Sequence, residues 1–278
     1  MGSLKTGPLV SVIIPTYNRA ATIERAVRSV LDQDYVPLEL IVVDDGGADE
    51  TPGLLAALAT DPRLTVLRQD NRGVSAARNL GIKSSQGPLL CFLDSDDEWL
   101  PGKLAAQVEF MAANPLSPLV QTQERWIRNG RRVNPGRKHL KRAGDIFLDS
   151  VKLCLISPSA VMLRRSLLDE VGLFDETLPA AEDYDLWLRI LRLHPAGLID
   201  RELVIRYGGH PDQLSAGHSL DKYRVAALEK ILGEDLTPER KRAVSEELER
   251  RKAIYLDGAA KREARVQAAG AQLEKVVE

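Results

Sequence analysis

The first half of the chain alternates short, wholly apolar runs with longer stretches in which apolar residues recur every three or four positions. The apolar runs predict β-strands at residues 9–14, 38–43, 64–67 and 88–93. The periodic stretches predict helices at residues 20–33, 54–59, 74–84 and 101–113. Strands that are apolar throughout and separated by helices are typical of parallel sheets covered on both faces. The pattern therefore predicts an α/β fold with a mostly parallel central sheet.

The second half is less regular. Further patterns predict two strands and a helix, at residues 118–127, 157–163 and 182–194. Beyond about Thr237 the chain becomes a charged, weakly amphipathic helical stretch. We expect a main domain over residues 1–218, with one half at about 9–113 and the other at about 114–218. Residues 219–278 are expected to form a helical C-terminal extension that packs on the domain or on a partner, and that offers a route to oligomers.

Composition excludes several classes of protein. The chain has 278 residues, with 38 Lys and Arg against 40 Asp and Glu, so it has no general attraction for nucleic acid. No apolar run reaches the roughly 18–20 residues that cross a bilayer, so no transmembrane segment is expected. The two cysteines, Cys91 and Cys154, lie far apart in apolar stretches. This favours buried, reduced thiols and a cytoplasmic location.

Polar clusters follow three of the predicted strands, at residues 15–18 (PTYN), 44–47 (DDGG) and 94–97 (DSDD). Right-handed crossovers place the carboxyl ends of parallel strands at one edge of a sheet, where ligands bind. We therefore expect one site built from all three clusters. The alternative is coincidence, because acidic residues and glycines are common in loops.

The DSDD cluster is the strongest chemical signal. Three carboxylates within four residues repel one another unless a cation or strong hydrogen-bond donors are present. Carboxylate oxygens suit Mg²⁺ or Mn²⁺, which also bind substrate phosphates. Such an ion would neutralise the charge of a departing nucleoside diphosphate. Alternatively, Asp97 caps the helix that follows.

Two further segments fit a nucleotide. In the DDGG cluster the glycines permit a close approach of the backbone, and a carboxylate can accept hydrogen bonds from a base or ribose. A tight turn explains the same residues. Ser75 and Arg78 lie in the first turns of a predicted helix, where a helix N-terminus and a guanidinium would bind a diphosphate. An arginine on a solvated helix face is the alternative.

The second half contributes three weaker candidates. Residues 182–187 (EDYDLW) open a helix, so one acid is either a general base or a cap. His210, in a Gly-rich loop, either contacts a phosphate or metal or lies on the surface. Residues 125–142 carry eight basic residues and no acid, which suits an anionic acceptor or membrane surface, or else a solvated loop.

In their order and spacing, five segments resemble the family 2 glycosyltransferases, which have the GT-A fold. They are VSVIIPTYNRA (10–20), ELIVVDDGGADET (39–51), NRGVSAARNLGI (71–82), PLLCFLDSDDEW (88–99) and AEDYDLWLRI (181–190). The resemblance covers about residues 9–190 and implies a Rossmann-like GT-A domain with a helical C-terminal tail.

The resemblance also implies roles for individual residues. It implies a nucleotide-sugar site formed by Pro15, Thr16, Tyr17, Arg19, Asp44, Asp45, Arg78, Asp94 and Ser95. Within this set, Asp45 matches the residue that contacts the base. Asp96 and Asp94 match the ligands of Mn²⁺ or Mg²⁺. Asp183 matches the catalytic base, with Glu182 beside it and Trp187 shaping the acceptor pocket.

The implied activity is an inverting, metal-dependent transfer of a sugar from a nucleoside-diphosphate sugar, commonly a UDP-sugar, to a saccharide or lipid-linked acceptor. A peripheral position at the inner face of the membrane stays open. The chain departs from the family at Gly46-Gly47, where a Gly-Ser pair is usual, and beyond about residue 195, where the match is poor.

Two alternatives remain at this point. One is a catalytically silent GT-A-like binding or assembly module. The other is a sugar-nucleotide pyrophosphorylase, which would need a Gly-rich, Arg-containing loop where this chain has residues 15–18. The motifs of serine hydrolases, zinc sites, P-loops and dinucleotide-binding folds do not occur in the sequence.

Overall fold

A computed structural model describes residues 5–134, 136–209 and 220–277. Its strands are β1 (Lys5–Thr16), β2 (Tyr35–Asp44), β3 (Leu64–Arg68), β4 (Leu89–Phe92), β5 (Glu98–Trp99), β6 (Leu119–Arg128), β7 (Arg131–Val133), β8 (Val161–Arg164) and β9 (Gly197–Gly208). Its helices are α1 (Ile23–Leu31), α2 (Thr51–Leu58), α3 (Val74–Ser84), α4 (Lys103–Ala113), α5 (Phe147–Lys152), α6 (Arg165–Val171), α7 (Glu182–Leu191), α8 (Leu220–Leu232) and α9 (Pro238–Val277).

The described strands form one sheet in the order β3-β2-β1-β4-β8-β6-β9-β5, with β7 paired to β6. Strands β1 to β4 are mutually parallel, as the alternation of strands and helices predicts. Beyond β4 the sheet is mixed, because β8 runs antiparallel to both β4 and β6, whereas β9 is parallel to β6. The predicted α/β fold is confirmed, and its parallel part is the half that forms the polar edge.

Helices cover both faces of this sheet. Val10, Val12 and Ile14 of β1 point to one face and pack in a core that includes residues of α1 and α4. Ile13, between them, points to the opposite face and joins a core that includes α3, α5 and α7. Alternate side chains of a strand point to opposite faces, so an uninterrupted apolar run satisfies both cores.

The sequence pattern missed the short elements. Strand β5 and helices α5 and α6 were not predicted, because segments this short show no clear periodicity. The strand predicted over residues 157–163 is a 3₁₀ turn, Pro158–Ala160, followed by β8. The helix predicted over residues 182–194 ends at Leu191.

The C-terminal helices pack on the domain. Ala227, Leu228 and Ile231 of α8 and Val244 and Leu248 of α9 are buried in the same core as α5 and α7. This part of the C-terminal extension thus packs on the domain, which is one of the two placements expected from the sequence; the other was packing on a partner. None of the described helices is both long enough and apolar enough to cross a bilayer.

Close packing of α3 on β1 gives a stability prediction. A Cβ atom on Gly81 would lie 2.5 Å from Cγ2 of the fully buried Ile13. We expect Gly81→Ala to lower the free energy of unfolding by about 1–3 kcal/mol, through overpacking. A Cβ on Gly53 of α2 meets no atom within 4 Å. Gly53→Ala is the matched control and should stabilise by up to about 1 kcal/mol. Urea unfolding measures both, and an unchanged or higher stability of Gly81→Ala would contradict the packing.

Candidate functional site

A cavity of about 840 Å³ opens where β1, β2 and β4 end. The candidate site residues that line it are Pro15, Thr16, Tyr17, Arg19, Asp45, Arg78, Asp94, Ser95, Asp96, Glu182 and Asp183. The structure therefore brings together residues that lie up to 168 positions apart in the sequence, from Pro15 to Asp183. Asp44 does not line the cavity, and His210 lies outside the described residues.

The two adjacent acids after β2 have different surroundings. Asp44 is buried, and its carboxylate accepts hydrogen bonds from the Gly47 amide at 3.0 Å and from Arg68 at 2.6 Å. These contacts are those of a turn-forming residue. Gly46 has a φ of 78°, and a Cβ there would lie 2.8 Å from the Asn71 amide nitrogen, so the turn requires glycine.

Asp45 turns toward the cavity. Its Oδ1 accepts hydrogen bonds from Gln69 Nε2 at 2.7 Å and the Arg72 amide at 2.9 Å, and its Oδ2 accepts one from the Gly73 amide at 2.8 Å. The turn that precedes α3 thus fixes the carboxylate. A carboxylate oxygen has two lone pairs, so Oδ2 keeps the capacity to accept a hydrogen bond from a ligand.

Arg78 is buried on α3, which excludes the solvated helix face considered from the sequence. Its guanidinium donates to Asp94 Oδ1 at 2.7 Å and to Glu182 Oε1 at 2.6 Å. Burial lowers the pKa of Arg78, but the two carboxylates outweigh it and raise the pKa above its ordinary value. The Nε atom is buried and has no hydrogen-bond partner among the described residues.

The acidic loop after β4 is held by residues that no sequence motif indicated. Asp97 accepts hydrogen bonds from the Ser159 hydroxyl at 2.6 Å and from the Tyr207 amide at 3.1 Å. Ser159 also accepts from the Asp94 amide at 3.1 Å, and Arg25 donates to the Asp96 carbonyl at 2.7 Å. These partners come from α1, the 3₁₀ turn and β9, so the loop depends on distant parts of the chain.

Asp97 is therefore a structural anchor of the loop. Burial raises its pKa well above the usual value, and the neighbouring Asp96 and Asp94 raise it further. It does not cap the next helix, because α4 begins after Gly102. The other two acids of the loop, Asp94 and Asp96, also line the cavity.

Among the described residues, no group of three or more His, Cys, Asp and Glu side chains is arranged to hold a metal ion. Asp94 and Asp96 both line the cavity. Two carboxylates together with substrate phosphates are a usual Mg²⁺ site. The oxygen donors that are present thus fit a divalent cation whose coordination a ligand completes.

Glu182 and Asp183 begin α7 and line the same cavity. Burial raises the pKa of Glu182 to about 7, with the pair to Arg78 opposing the shift and Asp183 adding to it. Asp183 accepts a hydrogen bond from the Tyr184 amide at 2.7 Å. The Cys154 thiol lies 3.7 Å from its Oδ2. Trp187 does not shape the pocket as expected, because it is buried in the core beside Phe174.

The basic segment over residues 125–142 is partly paired with acids. Arg125 and Arg132 both pair with Glu202, and Arg142 pairs with Asp149. Lys141 pairs instead with the buried Glu124 inside the cavity, where Ser157 and Trp126 also donate to the Glu124 carboxylate. Within the described residues, four of the eight basic side chains thus have an acid partner, and the segment keeps an excess of positive charge.

Comparison with known proteins gives the family. The model of glycosyl transferase family 2 matches residues 11–172. The UDP-Glc:alpha-D-GlcNAc-diphosphoundecaprenol beta-1,3-glucosyltransferase WfgD of Escherichia coli is 35% identical over 185 residues, covering 66% of this chain and 70% of that protein. An uncharacterized glycosyltransferase of Rickettsia conorii is 34% identical over 194 residues, which is 70% of this chain. The match spans only 32% of the length of that protein.

Solved structures share the fold. S. aureus TarS in complex with UDP-GlcNAc matches with a TM-score of 0.68 at 22% identity, over 90% of this chain and 72% of that one. A mannosyltransferase of Pyrobaculum calidifontis in complex with GDP-Man and Mn²⁺ matches with a TM-score of 0.66 at 23% identity, over 96% and 80%. The architecture is thus the GT-A fold, and the chain belongs to glycosyl transferase family 2.

Proposed function

We propose that this chain transfers a sugar from a UDP-sugar to an acceptor hydroxyl, with inversion at the anomeric carbon and with the help of Mn²⁺ or Mg²⁺. The observation that carries the proposal is the cavity itself. It brings Asp45, Arg78, the acidic loop and Asp183 to one edge of the sheet. Each has a position that suits one part of a nucleotide sugar or of the acceptor.

The nucleotide lies against the ends of β1 and β2. There Asp45 has an oxygen that can accept the N3–H group of uracil, because the turn before α3 holds it in place. WfgD is named for UDP-Glc, and the similar TarS structure is a complex with UDP-GlcNAc. Both similarities support a uridine nucleotide in the donor. The exposed ring of Tyr17 offers a surface for the base.

The diphosphate lies between the acidic loop and α3. Asp94 and Asp96 would hold the divalent cation. Once bound, the cation would neutralise the charge of the leaving diphosphate. Arg78 lies beside Asp94 and has a buried Nε without an acceptor, so a phosphate oxygen at this place would satisfy it. A guanidinium fixed before the reaction stabilises charge that develops in the transition state.

Asp183 is the general base of the proposal. The neighbouring Glu182 already receives a hydrogen bond from Arg78, so Asp183 is the acid of this pair left to face an acceptor. It takes the proton of the acceptor hydroxyl as that oxygen attacks the anomeric carbon opposite the diphosphate. Attack from the opposite face accounts for inversion.

Replacement of the base tests this assignment. We expect Asp183→Asn to lower UDP release from UDP-sugars at least about a hundredfold, because the amide cannot accept the proton. Donor affinity measured by calorimetry should remain nearly unchanged. Asp149→Asn, at an exposed acid on α5, is the matched control. Full transfer activity of Asp183→Asn would refute its role.

Replacement of the cation ligand makes a separate test. In the wild-type protein we expect Mn²⁺ to tighten the binding of UDP, and Asp96→Ala should remove most of that gain because one carboxylate ligand is lost. Titrations of UDP with Mn²⁺ and with EDTA measure the difference. Asp257→Ala, at an exposed acid on α9, should behave as wild type. If Asp96→Ala retained the full effect of Mn²⁺, the proposed site would be wrong.

A further inference from the structure

The cavity carries cations as well as acids. The acidic loop supplies Asp94 and Asp96. The cations that line the cavity include Lys141, Arg206 of β9 and Arg224 of α8. We call these three residues the cationic wall.

The cationic wall lies next to the candidate base. Burial raises the pKa of the Cys154 thiol and Asp183 raises it further, whereas the charges of Lys141, Arg224 and Arg206 lower it. One thiol thus interacts with all three cations and with Asp183. That thiol is 3.7 Å from Asp183 Oδ2, and the three cations line the same cavity as Asp183, where an acceptor hydroxyl would be deprotonated.

Within the described part of the chain, two of the three cations have no acid bound to them. Lys141 has Glu124 at 3.4 Å. Arg206 is near Glu124 and Asp97 electrostatically, but within the described part of the chain its guanidinium makes neither a hydrogen bond nor an ion pair. Arg224 likewise has no ion pair there, and its Nε is buried without an acceptor. A buried donor without a partner costs free energy, which a bound anion would recover.

The donor diphosphate does not account for Arg224. The donor-side guanidinium is that of Arg78, which contacts Asp94 and Glu182. The guanidinium of Arg224 lies instead 5.9 Å from the centre of the Tyr184 ring. It also lowers the pKa of the Cys154 thiol, which lies 3.7 Å from the candidate base Asp183.

We propose that the cationic wall binds a phosphate group carried by the acceptor, so that the acceptor substrate is a sugar phosphate or a phosphate-linked glycan. This inference rests on the proposed function of the cavity as a transferase site. Arginine recognises phosphate through paired N–H donors, and two such groups beside Asp183 would orient the attacking hydroxyl.

The test separates this site from the donor site by filling the latter first. Full-length protein saturated with UDP and Mg²⁺ is titrated with glucose 1-phosphate and, separately, with the neutral methyl glucoside. A second arm uses vesicles of phosphatidylglycerol, which present a lipid phosphodiester instead of a soluble phosphate. We expect one anionic probe to bind, and the methyl glucoside to bind at least about tenfold more weakly.

Variants locate the binding. Arg224→Met should weaken the anionic probe at least about tenfold and leave the affinity for UDP unchanged, whereas Arg224→Lys should retain part of the binding. Arg131→Met, at an exposed arginine of β7, is the matched control. Because Arg224 makes no hydrogen bond among the described residues, the melting temperature of Arg224→Met should not fall.

Several results would overturn the inference. The inference is wrong if neither anionic probe binds to protein that binds UDP, or if Arg224→Met binds the anionic probe as tightly as the wild type does. It is also wrong if Arg224→Met loses affinity for UDP, because Arg224 would then belong to the donor site. A failure of the wild-type protein to bind UDP would instead refute the proposed function, and the inference with it. Whichever anionic probe binds identifies a soluble or a lipid-borne source.

Discussion

The site depends on one buried guanidinium. Arg78 joins three elements that are far apart in the sequence, since it lies on α3 and holds Asp94 after β4 and Glu182 at the start of α7. Without this cation, two acids would face each other across the cavity with no charge between them. Removing one partner of a buried ion pair typically costs about 3–5 kcal/mol, because the others are left uncompensated. Arg78 is therefore both a structural link and a contact of Asp94, at the place proposed for the diphosphate.

The charges of the cavity follow from this arrangement. Asp94 and Asp96 lie where a phosphate and a divalent cation would meet, and Lys141, Arg206 and Arg224 line the same cavity. This mixture of charges lets one site attract both a metal-bound diphosphate and an anionic acceptor group. It also explains why the net charge of the chain, −2, says nothing of either substrate.

The sequence predicted the parallel half of the fold because its strands and helices are long and periodic. Apart from Asp44, the site residues that it predicted line the cavity, since acids such as Asp45, Asp94 and Asp183 follow strands or begin a helix at recognisable motifs. Their roles in catalysis stay predictions. The turn-forming contacts of Asp44 could not be foreseen, because they depend on Arg68 in the next strand.

The sequence could not predict side-chain contacts between elements that are far apart along the chain. Ser159 and Arg25 stabilise the acidic loop, yet neither belongs to a motif, and their contacts arise only when β8 and α1 are packed around β4. The cationic wall was likewise invisible. Its members come from three separate elements, and the conspicuous run of basic residues over 125–142 contributes only Lys141 to it.

The contact between Asp97 and the Tyr207 amide has a thermodynamic consequence. Tyr207 directly follows Arg206 in β9, so one short backbone segment carries a group facing the acceptor and a group bound to the loop that faces the donor. A ligand that shifts this segment from one side acts on the other. Linkage requires such coupling to be reciprocal: if occupancy of one subsite changes the affinity of the second, the second changes the first by the same factor. The backbone at Arg206 and Tyr207 would then couple the binding of the two substrates, so that one substrate favours the binding of the other without movement of a domain.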